Sequence, residues 1–141
     1  MVSKRVYIDH LRNVRLFAGF TRKQLEQIAS LSDVVSLPAG RTFIVEGKPG
    51  REAFIVLSGT VAVKRKGRRL NRLEAGAIIG ELSLLDQSPR SATAVCETDC
   101  TMLVVTRGAL VGMVDDVPAL LHKLLASLAG RIRDLDARSY G

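Results

Sequence analysis

The stretch 79–93 reads Ile-Gly-Glu-Leu-Ser-Leu-Leu-Asp-Gln-Ser-Pro-Arg-Ser-Ala-Thr, and it decides which fold the sequence predicts. Gly80 ends an apolar strand and lets backbone approach a ligand closely. Residues 81–85 suffice for about one helical turn, whose first N–H groups lack an intrahelical partner and favour an anion. Arg90 adds a planar fork of donors for the same anion. The stretch therefore predicts an anion-binding pocket.

A carboxylate belongs to the same pocket. Glu81 directly follows Gly80 and would repel a bare phosphate. It therefore needs a hydroxyl donor of its own, and a ribose 2′-OH would serve. The competing interpretation is an ordinary helical turn and surface loop in which Glu81 and Arg90 form a salt bridge.

The motif resembles that of a known family. Gly80-Glu81-Leu82-Ser83-Leu84, followed by Pro89-Arg90-Ser91-Ala92-Thr93, is similar to the phosphate-binding cassette of the cyclic nucleotide-binding domain family. This is the domain of catabolite activator protein, protein kinase A regulatory subunits and nucleotide-gated channels. Both halves have the family's spacing, and the resemblance extends from about Val14 to Arg138.

The resemblance implies a role for each cassette residue. Arg90 would pair with the cyclic phosphate, Glu81 would accept from the ribose 2′-OH, and backbone donors would assist. The ligand-binding residues implied are Gly80, Glu81, Leu82, Ser83, Arg90, Ser91 and Ala92. We expect a non-enzymatic sensor of cyclic AMP that needs no cofactor or metal. Cyclic GMP is the alternative ligand, because Ser91 would contact either the phosphate or the amino group of a syn guanine.

Length and composition predict one globular domain over residues 1–141, with 47% hydrophobic residues. No apolar run reaches the roughly eighteen residues of a membrane span, and residues 1–5 lack the features of a signal peptide, which favours a cytoplasmic protein. Cys96 and Cys100 flank a short turn without a second Cys or His cluster. We expect buried free thiols, with a hairpin disulfide as the alternative.

Alternation and turn residues predict a mainly β fold with flanking helices. N-terminal helices are expected within residues 9–31, where Thr21 and Gln24 form a capping box. Residues 33–106 are predicted to form an eight-stranded antiparallel jelly-roll barrel. Its strands are expected at residues 34–37, 42–45, 53–58, 60–66, 69–73, 77–79, 92–96 and 101–106.

Two C-terminal helices are predicted within residues 107–138. The second begins at Pro118 and carries an apolar stripe, which suits either packing on the barrel or a homodimer. The stripe consists of Leu120, Leu121, Leu124, Leu125, Leu128, Ile132 and Leu135. By the family resemblance, this helix moves when ligand binds.

The base would then meet Ile132, Arg133, Leu135 or Arg138 on that helix. Two departures from the family accompany this expectation. Leu135 and Asp136 stand where the activator places hydroxyl residues against adenine, and too few residues follow for a helix-turn-helix domain. We therefore expect no direct DNA binding, and the effector protein is unidentified.

A net charge of +7 raises the question of an acidic partner. The densest basic run, residues 64–69, falls at a predicted hairpin tip, where it is either solvated or contacts nucleic acid, a membrane surface or an acidic protein. The alternative functions are therefore a regulatory domain of a nucleotide-gated channel or larger protein, and a basic nucleic-acid-binding protein. A metal-dependent cupin is excluded, because His10 and His122 lie outside the predicted strands.

Overall fold

The computed structural model describes residues 5–140, and the side chains of all of these except residues 5–7, 82, 85, 131 and 134–140. Two four-stranded antiparallel sheets form the centre of the fold, with strand orders β1-β8-β3-β6 and β2-β7-β4-β5. The strands are β1 (Asp33–Leu37), β2 (Thr42–Ile44), β3 (Glu52–Ser58), β4 (Val61–Arg65), β5 (Arg68–Leu73), β6 (Ile78–Ile79), β7 (Thr93–Cys96) and β8 (Cys100–Thr106). The predicted eight-stranded jelly roll with flanking helices is confirmed.

The N-terminal helical segment comprises α1 (Arg5–Leu11), a 3-10 turn (Arg15–Phe17) and α2 (Arg22–Ser30). The sequence analysis predicted helices from Asp9 onward, but the first helix already begins at Arg5. The predicted capping box at the start of α2 is present, because Thr21 and Gln24 each accept from the other's backbone N–H.

Three helices follow β6. The short α3 (Glu81–Asp86) belongs to the cassette, and α4 (Arg107–Asp116) begins after Thr106, whose hydroxyl accepts from Ala109 N. Val117 separates α4 from α5 (Ala119–Tyr140), with Pro118 immediately before the last helix. Asp115 and Asp116 form the last turn of α4.

The core has two parts on either side of β3. Alternate residues of a strand face opposite sides, so Ala53, Ile55 and Leu57 pack under the helices. Phe54 and Val56 instead pack inside the barrel, between the two sheets. Odd-numbered β3 residues therefore face the helices, and even-numbered ones face the barrel interior.

The basic run forms the tip of the β4–β5 hairpin, as predicted. Lys66 and Gly67 both have positive φ, at 51° and 77°, and the backbone N–H of Lys66 is held by a Glu46 carboxylate oxygen at 3.0 Å. In β5, Arg69 and Arg72 both pair with Glu97. Exposed charges of this kind protect an edge strand from pairing with other chains.

Cys96 and Cys100 are free, buried thiols, as expected. Burial, together with the neighbouring Cys100, raises the pKa of Cys96 to about 12. A thiol with so high a pKa is almost entirely protonated near neutral pH and is therefore unreactive.

Candidate functional site

The cassette starts at a glycine that the backbone requires. Gly80 has φ 85°, in the left-handed region, and directly precedes α3. At the other end of α3, Gln87 also has positive φ, and Asp86 accepts from both the amide and the hydroxyl of Ser88. The hydroxyl bond, followed by the amide bond, lowers the pKa of Asp86. This turn reverses the chain and directs Arg90 back toward Gly80.

Arg90 is held under the cassette and is only 7% exposed. Its Nη1 donates to the Gly80 carbonyl at 3.1 Å, and its Nη2 donates to the Glu52 carbonyl at 2.7 Å. Burial lowers the pKa of the guanidinium, and the Glu52 carboxylate opposes that effect. Because a guanidinium carries five N–H donors, this arrangement fixes the fork and leaves donors for an anion.

Two buried polar side chains of α3 complete the local site. Glu81 and Ser83 are 2% and 4% exposed, and the Ser83 hydroxyl donates to the Pro89 carbonyl at 3.5 Å. Arg90 is thus buried against backbone carbonyls rather than placed on a surface loop.

The loop that precedes β3 forms backbone hydrogen bonds with the second half of the cassette. The amide of Gly47 donates to the Arg90 carbonyl at 2.8 Å, and the amide of Arg90 donates to the Lys48 carbonyl at 2.9 Å. On the other side, Arg65 Nε donates to the Ser91 carbonyl at 3.0 Å. The backbone at Arg90 is therefore fixed from both sides, while the Ser91 side chain is exposed.

Two residues that the sequence analysis missed belong to this site. One is Glu52, through its contacts with Arg90. The other is Gly50, where an added Cβ would lie 2.6 Å from Ser83 Cβ and 2.7 Å from Arg90 Nε. Neither has a local signal in the sequence, because Gly50 reads as an ordinary turn residue and Glu52 lies just before the predicted strand 53–58.

The structure therefore brings together Gly80, Glu81, Ser83 and Arg90. The Leu82 side chain lies outside the described ones, and Ala92 is half-buried where the cassette enters β7.

Of the four predicted base contacts, two are exposed on α5 and two have side chains outside the described ones. Ile132 is 61% exposed on α5, and its neighbour Arg133 is also exposed. The side chains of Leu135 and Arg138 lie outside the described ones. All four stay predictions for the ligand-bound protein.

A family model described as the cyclic nucleotide-binding domain matches residues 34–116. The chain belongs to this family. Among curated relatives, it is 32% identical over 126 residues to the cyclic AMP receptor protein of Thermus thermophilus, covering 86% of this chain and 58% of that protein. It is also 32% identical over 119 residues to a cAMP-dependent protein kinase regulatory subunit of Aspergillus niger, covering 81% and 29%. The chain thus spans less than two thirds of these relatives.

Solved structures give the same family. The Thermus thermophilus catabolite activator protein matches with a TM-score of 0.83 at 32% identity, over 87% of this chain and 60% of that one. A cyclic nucleotide-binding domain from Methylobacillus flagellatus matches with a TM-score of 0.79 at 29% identity, covering 96% and 81%. By their names, these relatives are a cyclic AMP receptor protein, a kinase regulatory subunit, a catabolite activator protein and a cyclic nucleotide-binding domain.

Metal and membrane sites receive no support from the described residues. His10 lies on α1 and His122 on α5, so neither is part of a barrel strand. Across the part of the chain that the structure describes, no cluster of three or more His, Cys, Asp or Glu side chains is placed to hold a metal ion. Within the same part, none of the helices combines the length and apolarity that a bilayer crossing requires.

Proposed function

We propose that this chain is a non-enzymatic sensor that binds cyclic AMP through residues 80–92 and relays binding through α5. One observation carries the proposal: the buried guanidinium of Arg90 is fixed by the backbone carbonyls of Gly80 and Glu52, and the residue that follows Gly80 is the buried Glu81. A cationic fork and an acceptor in one small site suit a ligand that has both a phosphate and a hydroxyl.

Cyclic AMP is proposed rather than cyclic GMP because of the relatives. The names of the Thermus thermophilus receptor protein and of the Aspergillus niger regulatory subunit both state a link with cyclic AMP. The exposed Ser91 side chain leaves a guanine contact open, so cyclic GMP is the second candidate ligand.

A thermal-shift comparison of cyclic AMP, cyclic GMP and 5′-AMP tests the proposal. At a concentration of about 100 Kd, a ligand that binds only the folded protein adds about 2.7 kcal/mol of stability. For a domain of this size each kcal/mol raises Tm by roughly 2–6 °C. We expect the largest shift with cyclic AMP. The proposed function would be refuted if neither cyclic AMP nor cyclic GMP changed the Tm at millimolar concentration.

The role of Glu81 gives a more specific prediction. If its carboxylate accepts from the ribose hydroxyl, Glu81→Gln keeps an acceptor but loses its charge, which should weaken binding by about 1–2 kcal/mol. The loss should nearly vanish for 2′-deoxy cyclic AMP, which lacks that hydroxyl. Titration calorimetry with both ligands and both proteins forms a double-mutant cycle. An equal loss for the ribo and deoxy ligands would remove Glu81 from this role.

The relay is proposed from the uneven anchoring of the described part of α5. Among its described side chains, the buried ones are Leu120 and Leu124 in the first two turns, while Leu125 and Ile132 are 55% and 61% exposed. A segment with few buried contacts is cheap to move. Bound nucleotide would offer Ile132 or Arg133 a base to cover, and this differential contact is what a ligand-driven shift requires.

Hydrogen exchange measures the relay directly. With saturating cyclic AMP, protection should rise both at residues 80–92 and at residues 128–140. Leu120 and Leu124 are already buried, so the first turns of α5 should change little and serve as an internal control. Protection that rises only in the cassette would mean that ligand binding leaves α5 in place.

Partners are proposed from the same helix. Leu121, Leu125 and Ile132 are exposed, and with the half-buried Leu128 they follow a spacing of four, three and four residues. This is the spacing of a two-helix seam, so a homodimer through α5 accompanies the proposal. The proposal also includes an unidentified effector protein and a cytoplasmic location. Its alternative is that the chain is a regulatory domain within a larger protein. Nucleic-acid binding is not proposed, because the basic run 64–69 has no aromatic residues among its cations on which bases could stack.

A further inference from the structure

Glu52 lies at the end of the barrel, beside the guanidinium of Arg90. It is the first residue of β3, and its backbone carbonyl accepts from Arg90 Nη2 at 2.7 Å. Residues two apart on a strand share a face, and Phe54 packs inside the barrel. The half-buried Glu52 side chain therefore lies on the barrel face of β3. Its carboxylate is near enough to act on the guanidinium, since it raises the pKa of Arg90 against the effect of burial.

The charge that acts on the Arg90 guanidinium is the Glu52 carboxylate. The neighbouring cations, Lys48, Arg51 and Arg65, are exposed, so water and salt screen them. A phosphate bound at Arg90 is attracted by the guanidinium and repelled by the Glu52 carboxylate, and each effect grows with the phosphate's charge. The Glu52 carboxylate therefore limits how much affinity a second negative charge on the phosphate adds.

We propose that Glu52 makes this site selective for a singly charged phosphodiester over a doubly charged phosphomonoester. The inference rests on the proposed function of the cassette and adds a basis for specificity to it. A cyclic nucleotide carries a single negative charge, whereas a 5′-nucleotide carries nearly two above its second pKa of about 6. Hydrolysis of a 3′,5′-cyclic nucleotide at its 3′ bond yields a 5′-nucleotide. Glu52 thus keeps the sensor from responding to the hydrolysis product of its own ligand.

The test separates charge from shape. Adenosine 5′-phosphorofluoridate resembles 5′-AMP in shape but carries a single negative charge. Both compounds compete with cyclic AMP for the wild-type protein and for Glu52→Gln at pH 8. In the variant, the Kd of 5′-AMP relative to that of the phosphorofluoridate should fall by about tenfold, as expected for removing one charge several ångströms away in a partly solvated site.

Glu26→Gln is the matched control, because it removes the same charge from an exposed position on α2. It should leave the ratio within about twofold, since an exposed ion pair contributes little. The wild-type protein gives a second measurement that needs no variant. There we expect the phosphorofluoridate to bind more tightly than 5′-AMP.

Three results would overturn the proposal. In the first, the wild type binds 5′-AMP more tightly than the phosphorofluoridate. In the second, Glu52→Gln leaves the ratio of the two Kd values unchanged. In the third, neither compound competes with cyclic AMP for either protein. Failure of cyclic AMP itself to bind the wild type would instead refute the proposed function.

Discussion

Arg90→Ala should weaken cyclic AMP binding by about thirtyfold to several thousandfold, or roughly 2–5 kcal/mol. The guanidinium is buried and already oriented by the carbonyls of Gly80 and Glu52, so it reaches an anion without reorganising. Removing it takes away the buried cation that would pair with the cyclic phosphate, while the Glu52 carboxylate stays near the site. Titration calorimetry on the two proteins measures the loss.

Folding should survive the same substitution, though at a measurable penalty. The two carbonyls lose their donors, which typically destabilises a protein by about 1–3 kcal/mol for each group left unsatisfied. Arg90→Lys keeps a charge but not the fork, so it should recover binding only in part. Arg51→Ala is the matched control, because Arg51 is an exposed arginine at the same end of β3. Binding by Arg90→Ala within about threefold of wild type would contradict the assignment of Arg90 to the phosphate.

The local half of the site could be predicted from the sequence because its residues are close together in the chain. Gly80, the short α3 and the return of the chain at Arg90 all follow from turn chemistry within one stretch. The Thr21–Gln24 capping box was predictable for the same reason, since its two hydrogen bonds join residues three apart. The strands were found from alternation and from glycines between them.

The other half of the site, Gly50 and Glu52, depends on which strands lie next to each other in the fold. Local sequence patterns do not specify that pairing. Gly50 and Glu52 reach Arg90 only because the loop before β3 pairs with the end of the cassette, through the bridge between Pro49 and Pro89. Those partners lie 40 residues apart, and their contact needs the whole jelly roll. For the same reason the exposed position of Ile132 could not be predicted, because a stripe of apolar residues does not reveal which of them the barrel covers.

Gly50→Ala should disrupt the site almost as strongly as loss of Arg90, although it adds only a methyl group. The new Cβ would lie 2.6 Å from Ser83 Cβ, 2.7 Å from Arg90 Nε and 2.8 Å from Arg90 Cζ, distances that real Cβ contacts do not show. The guanidinium cannot simply withdraw, because its hydrogen bonds to two carbonyls hold it. Either it or α3 must move, so we expect about thirtyfold weaker binding and an overpacking penalty of about 1–3 kcal/mol.

The control for this substitution is Gly108→Ala on α4, where an added Cβ meets nothing within 4 Å. Replacing a glycine inside a helix with alanine should leave binding unchanged and stabilise the fold by about 0.5–1 kcal/mol. Urea unfolding of both variants, followed by calorimetry with cyclic AMP, separates damage to the site from damage to the fold. Wild-type affinity in Gly50→Ala would show that the pocket tolerates the methyl group.

A double variant determines whether Gly50 acts through Arg90. If the methyl group weakens binding only by displacing the guanidinium, it should have little further effect on affinity once Arg90 is alanine, because nothing remains to be displaced. Its effect on stability should also shrink, since truncation of Arg90 removes two of the three close contacts and leaves the one with Ser83. Additive losses of affinity in the double variant would show instead that Gly50 serves the ligand directly, through close approach of its own backbone.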